Sequence, residues 1–134
     1  MTQENKVLLI KDLCAWLPYN VRVEYKGKTH STIYDVLGIA HGRLVICLPF
    51  MSHTELPLVE EVKPYLFPLS SMTEEQGKEL EKIDPEFYSL ICENGDIYIS
   101  MDVRGYDWLN KNHFDYRGLI PLGLAIDATG LNIY

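Results

Sequence analysis

The stretch Val21 to Leu48, "VRVEYKGKTHSTIYDVLGIAHGRLVICL", decides the fold. Val21, Val23 and Tyr25 alternate with Arg22, Glu24 and Lys26, the period of two that gives a strand one apolar and one polar face. Lys26-Gly27 then offers a turn, and His41-Gly42 offers another between "TIYDVLGIA" and "RLVICL". Strands joined by such short turns must pair antiparallel, because a parallel pair needs a long crossover. A three-stranded antiparallel meander is therefore expected.

On its N-terminal side, Val7, Ile10, Leu13, Cys14 and Leu17 fall at the spacing of one helical stripe, and Pro18 ends that helix. On its other side, the chain from Pro49 to Pro68 carries prolines at 49, 57, 64 and 68, which argues for a wrapping connection and against a central strand. A short edge strand or helical turn fits near Leu58 to Val62. "SSMTEEQGKELEKI" announces a helix: Thr73 stands at the N-cap, Gln76 at the reciprocal capping-box position, and Glu74 and Glu75 suit the positive helix start. Its apolar content, Leu80 and Ile83, is thin, so much of it should face solvent.

"EFYSLICENGDIYISMD" reads as a hairpin about a type I′ turn at Asn94-Gly95, with Cys92 facing Ile97, Leu90 facing Ile99 and Tyr88 facing Met101. "DVRGYDWLNKNHF" reads as a further helix, Val103 to Phe114, with Tyr106, Leu109 and His113 on one side. The tail "LGLAIDATGLNIY" packs across the domain as an irregular segment. The fold class is α+β: N-terminal helix, three-stranded antiparallel meander, proline-rich crossover, helix, β-hairpin and C-terminal helix, packed on one sheet or a small open barrel. At 134 residues the chain is long enough for one core and short for two, so residues 1–134 form a single globular domain.

Composition narrows function by exclusion. Hydrophobic residues make up 47% and charged residues 23%, an ordinary globular balance. A formal net charge of -7 repels polyanions, so nucleic acid is disfavoured as a partner; Arg22, Lys26 and Lys28 read as a solvated hairpin tip. Apolar runs such as "LVICLPFM" are far shorter than a membrane span and "MTQENK" lacks the order of a signal peptide, so a cytoplasmic protein is expected. Cys14, Cys47 and Cys92 lie in apolar surroundings with no CxxC pair, and read as reduced core residues.

No motif declares a reaction. His30, His41, His53 and His113 lie far apart and lack zinc spacings, so no metal is expected. The nine glycines assemble no phosphate loop, and no cofactor is implied. Ser70-Ser71 precedes a capped helix and sits in no GxSxG elbow. "WLNKNHFDYRGLI", residues 108–120, is the densest chemical stretch. Its architectural reading has the helix ending, Asp115 capping the next turn, Arg117 pairing with Asp107 or Asp115, and Gly118 taking a backbone angle other residues avoid. Its functional reading gathers His113, Asp115, Tyr116 and Arg117 into a pocket for a small ligand or a reaction. A second candidate surface is Tyr65, Leu66 and Phe67, set between prolines, which either lid the core or dock a partner.

Three stretches, "KDLCAWLPYNVRV", "VKPYLFPLSSMTEE" and "DWLNKNHFDYRGLIPLGLAIDA", together resemble a family of small hypothetical proteins from prophages and bacteriophages of gut bacteria, a family without an assigned activity. In that pattern Arg is common at the position of Trp16, Gly at Asn20 and Arg at Phe67, so this chain has less positive charge and more aromatic surface. The resemblance implies a phage-related accessory protein and carries over no catalytic residue. The leading expectation is a non-enzymatic protein acting by protein–protein binding or self-association through Tyr65 to Phe67 or a hairpin edge. The alternative is a small-ligand binder or enzyme using His113, Asp115, Tyr116 and Arg117.

Overall fold

The computed structural model describes residues 1–26, 33–49, 53–85 and 103–134. Helix α1, Gln3–Trp16, begins where the Thr2 hydroxyl accepts the Asn5 N–H at 3.1 Å, and gives way to a single 3-10 turn, Leu17–Tyr19, at Pro18. Asn20 then reverses the chain in the left-handed region at φ 58, a conformation asparagine tolerates better than most residues. Strands β1 (Arg22–Tyr25), β2 (Ile33–Ala40) and β3 (Arg43–Cys47) follow and pair antiparallel in sequence order, the expected meander. His41 and Gly42, at φ 53 and 75, form the two-residue link between β2 and β3, as a type I′ turn requires. The Lys26-Gly27 turn lies outside the described residues. A register shift between Val36 and Gly38 turns Leu37 outward, where it is 59% exposed.

The short β4 (Thr54–Glu55) edges β3, and a 3-10 turn at Val59–Glu61 leads into β5 (Val62–Pro68). This corrects the expectation that the proline-rich segment holds no central strand. β5 pairs antiparallel with β1 and then parallel with β7 (Ile126–Asp127) and β6 (Phe114–Asp115), within a sheet that is open and seven-stranded among the described residues, of order β4-β3-β2-β1-β5-β6 with β7 beside β5. Pro64 is tolerated for a geometric reason. Arg22 and Tyr65 turn their N–H and C=O toward each other across the Tyr134 hydroxyl, so alternation places the Val23–Pro64 pair in the non-hydrogen-bonded register. The missing N–H therefore takes nothing from β1.

Helix α2, Glu74–Ile83, carries the reciprocal Thr73–Gln76 capping box, buries Leu80 and leaves its acidic face in water. Helix α3, Val103–Lys111, is shorter than expected at its end: Phe114 belongs to β6, and His113 lies beyond the helix. The tail is not wholly irregular, since β7 joins the sheet. The hairpin about Asn94-Gly95, with Cys92, lies outside the described residues.

One face of the sheet (Val21, Val23, Tyr34, Val36, Leu44, Ile46 and Leu66) packs on Leu9, Leu13 and Trp16 of α1 to make the main core. Leu80, Trp108, Leu109 and Phe114 form a second apolar cluster, and Tyr65, Ala128 and Ile133 a third. The buried face of α1 is Leu9, Asp12, Leu13 and Trp16; Val7 and Cys14, expected on it, are exposed. Cys47 is half-buried, with its thiol pushed up by desolvation and then by Asp35. Among the described residues no helix is long and apolar enough to cross a membrane.

Candidate functional site

The four residues at the end of α3 are held by different partners. Phe67 donates its N–H to the His113 carbonyl at 2.8 Å, and His113 itself stands at φ 59, the left-handed position at which helices commonly stop. Its ring lies flat on Tyr134, centroids 3.8 Å apart at 8°, with Nε2 2.7 Å from the Tyr19 carbonyl. A carbonyl only accepts, so Nε2 carries the proton in the neutral ring. Burial lowers the His113 pKa, opposed by the Tyr19 carbonyl and aided by Arg22.

Asp115 accepts the Leu119 N–H at 2.9 Å and the Ile120 N–H at 2.8 Å, closing the turn that Gly118 opens at φ +77. That bears out its capping role. Tyr116 donates its hydroxyl to Asn110 Oδ1 at 2.8 Å, and desolvation, then Asp12, raises its pKa. Arg117 was expected to pair with Asp107 or Asp115. Instead its Nε lies 2.7 Å from Asp12 Oδ1, because both Asp115 oxygens are taken by backbone N–H groups and α1 supplies another carboxylate.

The Asp12–Arg117 pair is unusual in its environment. The Asp12 side chain is 0% exposed and that of Arg117 is 40% exposed. The contact is close but poorly aligned, and neither Asp12 oxygen has a hydrogen-bond partner among the described residues. Charge attraction thus survives without the directional bonds that normally compensate a buried carboxylate. Desolvation is the largest influence and drives the Asp12 pKa from 3.8 to about 7; Arg117 and Lys11 pull it down and Asp115 pushes it up.

Arg117 also borders two surface clefts. One, of about 470 Å³, is lined by Ala15, Tyr106, Asn110, Tyr116 and Arg117. The other, of about 370 Å³, runs along Gln3, Glu4, Val7, Leu8 and Lys11 to the same arginine. Asp12 lies four residues after Leu8 and three before Ala15 on α1, so the ion pair stands between the clefts. The Tyr106 and Tyr116 rings meet at 5.1 Å and 51°, and the guanidinium carbon lies 5.7 Å from the Tyr116 ring centre. Of the four expected pocket residues, Tyr116 and Arg117 line the larger cleft, while His113 and Asp115 serve the backbone. Asp12, Asn110 and Tyr106 were not foreseen. The clue to Asp12 was its place between Leu9, Leu13 and Trp16, a polar residue at helical core spacing.

The other candidate surface is spent inside the molecule. Tyr65 is 5% and Leu66 0% exposed, and Phe67 packs between Phe114 and Tyr134 with centroids at 6.3 and 6.0 Å. Of the two readings of this segment, a lid on the core or a docking surface, the burial of Tyr65 and Leu66 and the half-burial of Phe67 favour the first: the segment is an inner strand whose side chains enter apolar clusters on both faces. Arg22 is likewise engaged, by Asp35 and the Ile133 carbonyl. Among the described residues no three His, Cys, Asp or Glu side chains converge as metal ligands. Comparison with protein-family models, curated proteins and solved structures gives no match to this chain.

Proposed function

We propose that the protein is a non-enzymatic binding protein, of the phage-related accessory kind its sequence resembles, and that its recognition site is the Arg117 cleft. The supporting observation is the Asp12 carboxylate, wholly buried and, among the described residues, without an aligned hydrogen bond, beneath an arginine that also walls an open cleft. Asp115, Asn110, Tyr116 and His113 nearby have hydrogen-bond partners, while the Trp16 and Trp108 indole N–H groups, like Asp12, are buried without one among the described residues. An unpartnered carboxylate costs far more than an unpartnered neutral indole, and strongly desolvated charges beside clefts are a mark of ligand sites. Binding is favoured over turnover because His113 is committed to Tyr19 and Tyr134 and Asp115 to two backbone N–H groups, while the uncommitted acid, Asp12, is 0% exposed and does not line the cleft.

Nitrogen–proton correlation spectra, titrated with the small-molecule fraction of a bacterial lysate, test this. Saturable shifts at Asn110, Tyr116 and Arg117, lost in a folded Arg117→Gln variant, are expected. Unmoved cleft amides, or shifts that persist without Arg117, would overturn it.

A further inference from the structure

The ligand's chemistry can be narrowed; this step rests on the cleft being the binding site. We infer that the cleft takes a small anion carrying an aromatic or apolar group, a carboxylate or phosphate monoester, which displaces Asp12 from Arg117 while Asp12 takes up a proton from solvent.

The charge of the ligand follows from the lining. Among the described residues Arg117 is the one charged side chain bordering the larger cleft; Ala15, Tyr106, Asn110 and Tyr116 are neutral. A negative group is what such a wall attracts, and the two tyrosine rings offer an apolar body a surface beside it. Displacement follows from geometry. Asp12 approaches Arg117 at Nε, 2.7 Å away but misaligned for a hydrogen bond. A solvent-borne carboxylate or phosphate can instead form two parallel bonds with the guanidinium fork, the stronger arrangement.

The proton follows from what remains. The groups facing Asp12 are Arg117, Asp115, Lys11 and the Tyr116 phenol. With Arg117 turned to a ligand, the largest attraction is gone, while the desolvation and the repulsion from Asp115 stay. Lys11 is on the surface of α1 and does not replace it. A carboxylate at 0% exposure in that field is stable only when protonated. One incoming negative charge is thus matched by neutralisation of Asp12: a carboxylate leaves the net charge of the site unchanged, and a phosphate monoester dianion adds one further negative charge. The free site is already near the point of change, since Asp12 titrates at about 7.

The test is calorimetric titration of the intact protein with benzoate and with phenyl phosphate, and with acetate and benzylamine as controls. Each is run at about pH 6 and about pH 8 in buffers of different ionisation enthalpy. Benzoate or phenyl phosphate should bind, with acetate weaker and benzylamine silent, and the stronger of the two anions identifies the headgroup. At the higher pH, uptake of about one proton per anion is expected, and affinity should fall about tenfold per pH unit above Asp12's titration. Asp12→Asn should abolish the proton uptake and keep binding; if that variant fails to fold, the buffer dependence of the wild type still decides. Preference for benzylamine, or anion binding without proton uptake, would overturn the inference and leave the cleft standing as a site. Silence toward all four probes, with lysate-induced shifts still seen at the cleft, would do the same. Silence together with unmoved cleft amides would remove both readings.

Discussion

At the scale of single residues, a few polar atoms carry disproportionate weight. The Tyr134 hydroxyl accepts the Arg22 N–H at 2.9 Å and donates to the Tyr65 carbonyl at 2.8 Å, closing the gap where β1 and β5 part. Burial raises the pKa of that phenol, so it stays a neutral donor. Although Tyr134 is 44% exposed as a residue, its hydroxyl end is enclosed between two strands. Tyr134→Phe should keep the stack on His113 and cost about 0.5–1.5 kcal/mol in urea unfolding, the net contribution of a hydrogen bond between partly exposed groups. Two buried titrating groups give stability opposite slopes with pH. His113 has a folded pKa below its ordinary 6.5, so its contribution is present above that pH and is lost as pH falls through the folded value. Asp12 is raised from 3.8 to about 7, so its contribution is full below the lower value and is lost as pH rises through the higher. Asp12→Asn should therefore raise the urea midpoint at about pH 8, by roughly 1–3 kcal/mol in stability, and leave only the acid-side decline. His113→Asn, which suits the left-handed backbone, should remove that acid-side decline instead.

At the scale of elements, local rules were legible where both partners of an interaction lie close in sequence. The Thr73–Gln76 box, the His41-Gly42 turn and the Gly118 turn capped by Asp115 are of this kind. Thr73→Ala should destabilise by about 1 kcal/mol through loss of the cap to the Gln76 N–H. Gly118→Ala should cost about 1 kcal/mol from backbone conformation alone, since an added Cβ meets nothing within 4 Å. Thermal or urea melts of both variants check these values. Two stripes fit the sequence of α1, and periodicity does not choose between them. Leu13 belongs to both, and only the sheet beneath decides that Leu9 and Trp16 turn inward while Val7 and Cys14 turn out. The proline rule failed at β5 for a similar reason: whether a missing N–H matters depends on which edge of the ladder it faces.

At the scale of the whole molecule, β5 joins the three apolar clusters, contributing Leu66 to the first, Phe67 to the second and third, and Tyr65 to the third. Trp16 sits in the main core and Trp108 in the second cluster, so single-tryptophan variants report on each. If one domain unfolds, the two fluorescence transitions should coincide, and Leu66→Ala should lower both together by about 2–5 kcal/mol. Transitions that separate would mean two cooperative units. The sequence by itself determined the α+β class, the meander order, the capped helix and the turn at Gly118, because periodicity, caps and turns are set by neighbours along the chain. It also held the clue to Asp12, as an aspartate at core spacing. Only the tertiary structure decided that β5 is an inner strand, that Tyr65 and Leu66 are core with Phe67 packed half-buried beside them, and that Arg117 meets Asp12. Those contacts join residues tens to a hundred positions apart, and which side chains meet there is settled by how helix and sheet exclude water from one another, a property no local spacing encodes.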